Sequence, residues 1–288
     1  MEQLDKHSLG NFTSAEIEAW VKNGKIQVAS AMNIGLDDLD SFIDTQEAIV
    51  AERKKHPTLD INTPERQLLR EQIIKDYFSC FENAKKEKTA IIVLEQIASG
   101  KSSFCKSFVG TNEAFVVDVD FIKQGFGSMT GLQEDFDNGK GTDQVHEEAS
   151  MLAKKIIALA SDEGYNLVLP KTGIEFSSIK KIVDGLKSKG YYIGLCYIDL
   201  PIEKCVERNF YRFVDEISMG KPSRLVPFST IKYIDDKPFN TFVWFLEHNE
   251  NHLIDNFVAL SNDVAPGADF EPIALDDIRE YSRRKMLS

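Results

Sequence analysis

A Gly100-Lys101-Ser102 turn follows the apolar run Ala90-Ile91-Ile92-Val93-Leu94 and opens a stretch of helical character. This is the local context in which a Gly-Lys-Ser turn binds phosphate. Backbone N–H groups there wrap the anion, and the N-terminus of the following helix faces it. Ser99, Gly100, Lys101, Ser102 and Ser103 are the expected nucleotide-binding residues. Lys101 would reach the β- and γ-phosphate oxygens, and the Ser102 hydroxyl would ligate Mg²⁺ accompanying ATP. The full pattern, G-x-x-x-x-G-K-[ST], begins with glycine, but this chain has Glu95 there. Its carboxylate either turns away from the phosphates toward a basic partner or weakens their binding.

Three further groups could share that chemistry. Val116-Val117-Asp118-Val119-Asp120 reads as an apolar strand ending in two carboxylates, placed on one side by the period of two. An acid at such an edge can take the proton of an attacking hydroxyl, and Asp120 is the expected base. Val145-His146-Glu147-Glu148 opens a helix, where acids complement the helix dipole whether or not they serve a site. Lys204, Arg208 and Arg212 recur every four residues on one helix face, and Arg224 follows a Gly-Lys-Pro break. These arginines would close over transferring phosphates, or form a solvated face paired with Glu203, Glu207 and Glu216. No NKxD motif supports a GTPase. The third strand lacks a terminal aspartate, which argues against a motor-type ATPase. A kinase remains.

The elements that must position these residues alternate from residue 89 onward. Strands are expected over 90–95, 115–119, 167–169, 191–200 and 253–260, and helices over 101–109, 143–163, 176–189, 202–217, 236–248 and 274–286. Nearly continuous apolar strands separated by helices imply an α/β fold, a parallel sheet of about five strands covered on both faces. The glycine-rich segment 125–142 reads as a mobile loop at the carboxyl edge of the sheet. Residues 1–88 read as a helical extension and 89–288 as the kinase-like domain. Thr13-Ser14-Ala15-Glu16 is a capping box, 36–55 has helical spacing, and Thr63-Pro64-Glu65 opens a third helix. Leu69, Ile73, Tyr77, Cys80 and Phe81 form the apolar face of that helix.

Composition sets the outer bounds. The 288 residues carry a net charge of −12, which disfavours a general nucleic-acid or anionic-membrane binder. The four cysteines form no CxxC pair, so free thiols in a reducing compartment are expected. Neither a signal peptide nor a bilayer-length apolar run stands out. The reading is a cytoplasmic protein, or one delivered to a host cytosol without a classical leader.

Taken in order, several motifs resemble the zeta-toxin family of P-loop kinases. They are Gly100-Lys101-Ser102, 117–123 from Val117 to Lys123, 145–150 with its His-Glu-Glu, and Gly164-Tyr165-Asn166-Leu167-Val168. Lys171-Thr172-Gly173, Lys189-Gly190-Tyr191 and the stretch from Arg212 to Pro227 continue the likeness. The resemblance spans roughly 88–235. It implies an ATP- and Mg²⁺-dependent kinase acting on a sugar hydroxyl, best known on UDP-N-acetylglucosamine, and a possible toxin. It casts Asp120 as base, Lys101 and Ser102 as phosphate and metal holders, and Arg212 and Arg224 as phosphate contacts, with Arg208 beside them. Asp118, Lys123, Glu147 and Thr172 fall near the acceptor. Glu95, Ile97 and Ala98 depart from the family's loop, and Pro170-Lys171 stands where an acidic or small residue is common. An antitoxin partner, or inhibition by residues 1–88, is a corollary. Two other readings stay open: a kinase fold without catalysis, and an effector kinase acting on another hydroxyl, such as that of a dinucleotide.

Overall fold

The computed structural model describes residues 19, 22–26, 29–30, 33, 35–41, 62–108, 111, 113–130, 145–218, 226, 228–265 and 268–287. The capping box at 13–16 therefore lies outside the described residues. The 36–55 stretch is helical over 36–41, and the rest of it lies outside as well.

Helix α1 (Pro64–Cys80) starts on the expected signal: Thr63 is extended, its hydroxyl accepts from the Arg66 N–H at 3.3 Å, and Pro64 occupies the first turn. Its buried line runs Ile73, Tyr77 and on to Phe81 in steps of four. Cys80, expected on that face, falls off its edge and is exposed.

Six strands follow: β1 (Thr89–Glu95), β2 (Phe115–Val116), β3 (Leu167–Lys171), β4 (Tyr192–Asp199), β5 (Asn256–Ser261) and β6 (Glu271–Ile273), in spatial order β2-β3-β1-β4-β5-β6. β1 lies between β3 and β4, parallel to both, with Leu94 opposite Lys171 on one side and Tyr197 on the other. Only β6 runs antiparallel, closing the β5 edge. Ile92, Val93 and Leu94 are consecutive and all fully buried, so both faces of β1 are covered. The helices are α2 (Lys101–Lys106), α3 (Val119–Thr130), α4 (His146–Asp162), α5 (Phe176–Ser188), α6 (Ile202–Ser218), α7 (Phe228–Ile234), α8 (Lys237–Glu247) and α9 (Leu275–Leu287). α8 crosses β1 and β4 and buries Phe239, Phe242 and Phe245. At the other end of the sheet, Tyr77 and Phe81 stack on Phe115, with ring centroids 5.7 and 4.8 Å apart. Each such ring removes enough apolar surface from water to contribute about 2–3 kcal/mol.

Two expectations are corrected. The strand expected over 115–119 stops at Val116, because the Asp118 Oδ1 accepts the Asp120 N–H at 2.9 Å. This side-chain turn swings the chain into α3 at Val119. The loop expected over 125–142 is helical through Thr130, since Ile122 and Phe126, one turn apart, are fully buried where α3 meets α1 and α4. That burial outweighs the glycine cost of about 1 kcal/mol each at Gly125 and Gly127. Residues 131–142 lie outside the description. No described helix is long and apolar enough to cross a membrane. All four cysteines are free thiols.

Candidate active site

β1 ends at the carboxyl edge, and the turn after it has the backbone of an anion cradle. Ala98 (φ +63°) and Gly100 (φ +116°) both adopt left-handed conformations of the kind that build anion-binding nests, and the Ser99 N–H closes the turn on the Gln96 carbonyl at 3.3 Å. At Gly100 a side chain is excluded twice, by its φ and by the Asn262 amide, which fills the space a Cβ would need. The turn is pinned from outside as well. Gln96 Nε2 donates to the Asp235 carboxylate. Asn262 Nδ2 donates to the Ser99 carbonyl, and the Asn262 N–H to the Asp199 carbonyl at 2.9 Å. Arg208, expected on the nucleotide, instead donates to the Asn262 carbonyl at 2.7 Å, so it supports the loop through that residue.

Glu95 faces the loop. Its carboxylate accepts the Ser99 hydroxyl at 2.9 Å and a hydrogen bond from the Lys101 backbone N–H, and the residue is 3% exposed. Burial pushes its pKa up to about 7, assisted by nearby Asp118; the Lys101 charge and both hydrogen bonds pull the other way. The carboxylate thus turns toward the loop backbone and takes the Lys101 N–H.

Opposite the loop stand the two aspartates. Lys101 Nζ lies 3.8 Å from Asp118 Oδ2 and 3.7 Å from Asp120 Oδ2, while Lys123 Nζ holds the other Asp120 oxygen at 3.0 Å. Burial opposes the Lys101 charge, but Asp118, Asp120 and Glu95 outweigh it and hold its pKa above the ordinary value. Asp120 stays 65% exposed, open to an incoming molecule, whereas Lys123 is buried. Tyr77 of α1 fixes the approach to this pair. Its hydroxyl donates to the Val116 carbonyl at 2.8 Å and accepts the Asp118 N–H at 3.1 Å.

The remaining candidates are spread more widely. Glu147 and His146 are exposed at the start of α4, and Thr172 is exposed just beyond β3. Glu148, 1% exposed, is a structural acid: Arg66 and Arg70 of α1 both bond its carboxylate, Arg70 at 3.1 Å. Arg212 is exposed on α6, and Lys204 pairs with Glu207 at 3.4 Å. Arg224 lies outside the described residues, as do the side chains of Ser102 and Ser103. Sequence reasoning missed Tyr77 as a site residue, and it missed Gln96 and Asn262 altogether. The Ser261-Asn262-Asp263 turn after β5 was the one visible signal for Asn262.

The fold resembles solved structures. That of the PezAT chromosomal toxin–antitoxin system of Streptococcus pneumoniae superposes with a TM-score of 0.57 at 17% identity, covering 72% of this chain and 83% of that one. The AvrRxo1-ORF1:AvrRxo1-ORF2 complex with sulphate ions gives 0.56 at 18% identity, covering 73% and 67%. The same pair with ATP gives 0.50 at 19%, covering 74% and 67%. No curated protein sequence matches the chain at a significant level. The family model for Zeta toxin matches residues 73–237, from the middle of α1 to the start of α8 and across every residue of the loop and its facing acids. The chain belongs to the zeta toxin family.

Proposed function

We propose that this protein is an ATP-dependent kinase that moves the γ-phosphoryl group to a hydroxyl of a small molecule, with a nucleotide sugar as the acceptor class. One observation carries the reading: the loop lysine lies within 4 Å of both facing aspartates, at 3.8 and 3.7 Å. Donor phosphates on the loop and an acceptor hydroxyl at Asp120 would then meet around Lys101. Asp120 takes the hydroxyl proton, oriented by Lys123. The acceptor oxygen bonds to the γ-phosphorus as the bond to the β–γ bridging oxygen breaks, leaving ADP. Lys101 offsets charge on the phosphoryl oxygens. Arg212 and Arg224 are assigned to the same task, and Glu147 and Thr172 to the acceptor. Mg²⁺ would be held by the nucleotide's own phosphates with Ser102 and Asp118, and it would supply charge neutralisation there. Among the described residues no group of three or more histidines, cysteines, aspartates or glutamates could hold a metal.

Of the similar structures, one is described as belonging to a toxin–antitoxin system, another as a pair of two proteins, and that pair also as holding ATP. By analogy we assign this protein a toxin role with an inhibitory partner, either a separate chain or its own residues before α1, in a cytosolic setting. The test is direct. Purified protein is incubated with Mg-ATP and a panel of nucleotide sugars, and products are read by mass spectrometry. A product gaining one phosphoryl group, lost in Asp120→Ala, is expected; no product with any acceptor on the panel would remove the nucleotide-sugar assignment.

A second reading rests on Glu95, whose carboxylate already occupies part of the cradle. In that case the fold binds a partner without turning over ATP. Calorimetry that finds no ATP binding in the native protein, with Glu95→Gly restoring it, would favour this alternative.

A further inference from the structure

Lys171 occupies a position that neither the loop nor the acid pair explains. It is the last residue of β3, the strand between β1, which leads into the phosphate loop, and β2, which leads into the Asp118–Asp120 turn. The registers place it opposite Leu94, one residue before Glu95, and three residues beyond Val168, the partner of the last β2 residue Val116. Donor loop and acceptor base thus flank it at the carboxyl edge.

Its electrostatics are those of a charge without a counter-ion. Burial drives its pKa down to about 8; Asp118 pulls it upward, while Lys101 and Lys154 push it further down. Among the described residues no carboxylate forms an ion pair with it, and the Asp118 carboxylate lies at ion-pair distance from Lys101. Lys171 is half-buried, and a lysine in that setting without a partner destabilises the folded chain. It ends β3 between the donor loop and the acceptor base, where an anion would arrive only with substrate.

We propose that Lys171 is a further catalytic residue, whose ammonium contacts the γ-phosphoryl group between the Lys101 loop and Asp120. The inference rests on the kinase reading above and deepens it. A compact ammonium on a flexible stem suits a group that travels from one oxygen to another during transfer. As the phosphoryl group leaves ADP for the acceptor oxygen, Lys171 holds its equatorial oxygens throughout, and the proton goes to Asp120.

The experiment compares the intact protein with Lys171→Met and Lys171→Arg by calorimetry, using Mg²⁺ with ADP and with the non-hydrolysable β,γ-imido analogue of ATP. Lys171→Met should weaken the triphosphate analogue by roughly ten- to a hundredfold while leaving ADP within about twofold. Lys171→Arg should recover part of the loss. Thermal unfolding of the ligand-free proteins supplies a second readout, in which Lys171→Met should melt several degrees higher. A purely structural lysine would give the opposite shift. Equal losses for both nucleotides, no loss for either, or a lower melting temperature in Lys171→Met would each overturn the proposal while leaving the kinase reading intact. Failure of the native protein to bind either nucleotide would overturn both.

Discussion

At the scale of single residues, Glu95 decides how the cradle behaves. Burial pushes this acid toward neutrality, from an ordinary 4.5 to about 7. The native state keeps the Glu95 proton at pH values where the unfolded chain has released it. Its contribution to stability is therefore greatest below about pH 4.5, falls as pH rises, and levels off above about 7. Lys101 and Asp118 are the charged groups that face it, while the neighbouring Cys105 and Cys196 thiols are pushed up to about 12 by burial and stay neutral in that window. Phosphate on the loop favours the protonated acid. ATP affinity should therefore fall with rising pH, by up to about tenfold per unit above 7. In Glu95→Gln that slope should flatten, and the variant should be the more stable protein at pH 8. Calorimetric titrations of both proteins at pH 6, 7 and 8 check this; parallel slopes would show that Glu95 does not compete with phosphate. None of this was legible in the sequence. A strand ending in glutamate shows that an anion stands at the loop's first position, but burial and the donors around it come from the whole sheet. Lys101 and the loop itself were legible because strand, turn and helix are written in consecutive residues.

At the scale of elements, the acid pair is set by α1 and by the turn into α3, not by a long strand. β2 has only two residues, and Tyr77 takes over the role that further ladder bonds would have had. Tyr77→Phe leaves a buried carbonyl and an N–H without their partner. It should cost about 1–2 kcal/mol in stability. It should lower kcat more than it alters ATP affinity, because it acts on the acceptor side of the site. Chemical denaturation and steady-state kinetics check the two effects. The α1–α4 junction is stiffer still. Glu148→Ala would strand Arg66 and Arg70 in a partly buried position, at a cost of about 3–5 kcal/mol, measurable as a large shift in the urea midpoint. The sequence pattern placed Asp118 and Asp120 correctly as a unit but misjudged their backbone. Alternation of apolar and acidic residues is equally compatible with a strand and with a side-chain turn, and the Asp118 carboxylate selects the turn. The helix over 125–130 was hidden because its glycines speak against it locally, and only packing of Ile122 and Phe126 speaks for it.

At the scale of the whole molecule, α1 belongs to the same core as the sheet. Ile73, Tyr77 and Phe81 share one buried cluster with Phe115 and Ile156, and the family match begins within this helix. A chain beginning at residue 62 should therefore unfold cooperatively and retain ATP binding. One beginning at residue 86 should lose most of its stability, since it exposes Phe115 and removes both arginine partners of Glu148. Circular dichroism melts and calorimetry on the two truncations distinguish these outcomes. Comparing growth under expression of the full chain and of the residue-62 form then asks whether the preceding segment restrains the kinase; equal toxicity would remove that idea. The alternation of strands and helices made the sheet legible, whereas the antiparallel β6 edge was not, because three exposed or half-exposed residues carry no periodic signal. The link between Asn262 and Ser99 carries a consequence for biosynthesis. The two residues are 163 positions apart, so the brace on the loop is missing until the segment after β5 has left the ribosome. At typical elongation rates that interval is roughly ten to thirty seconds. A nascent chain thus carries every residue of the phosphate loop while still lacking the part that holds it in shape, and the loop gains this brace only once Asn262 has emerged.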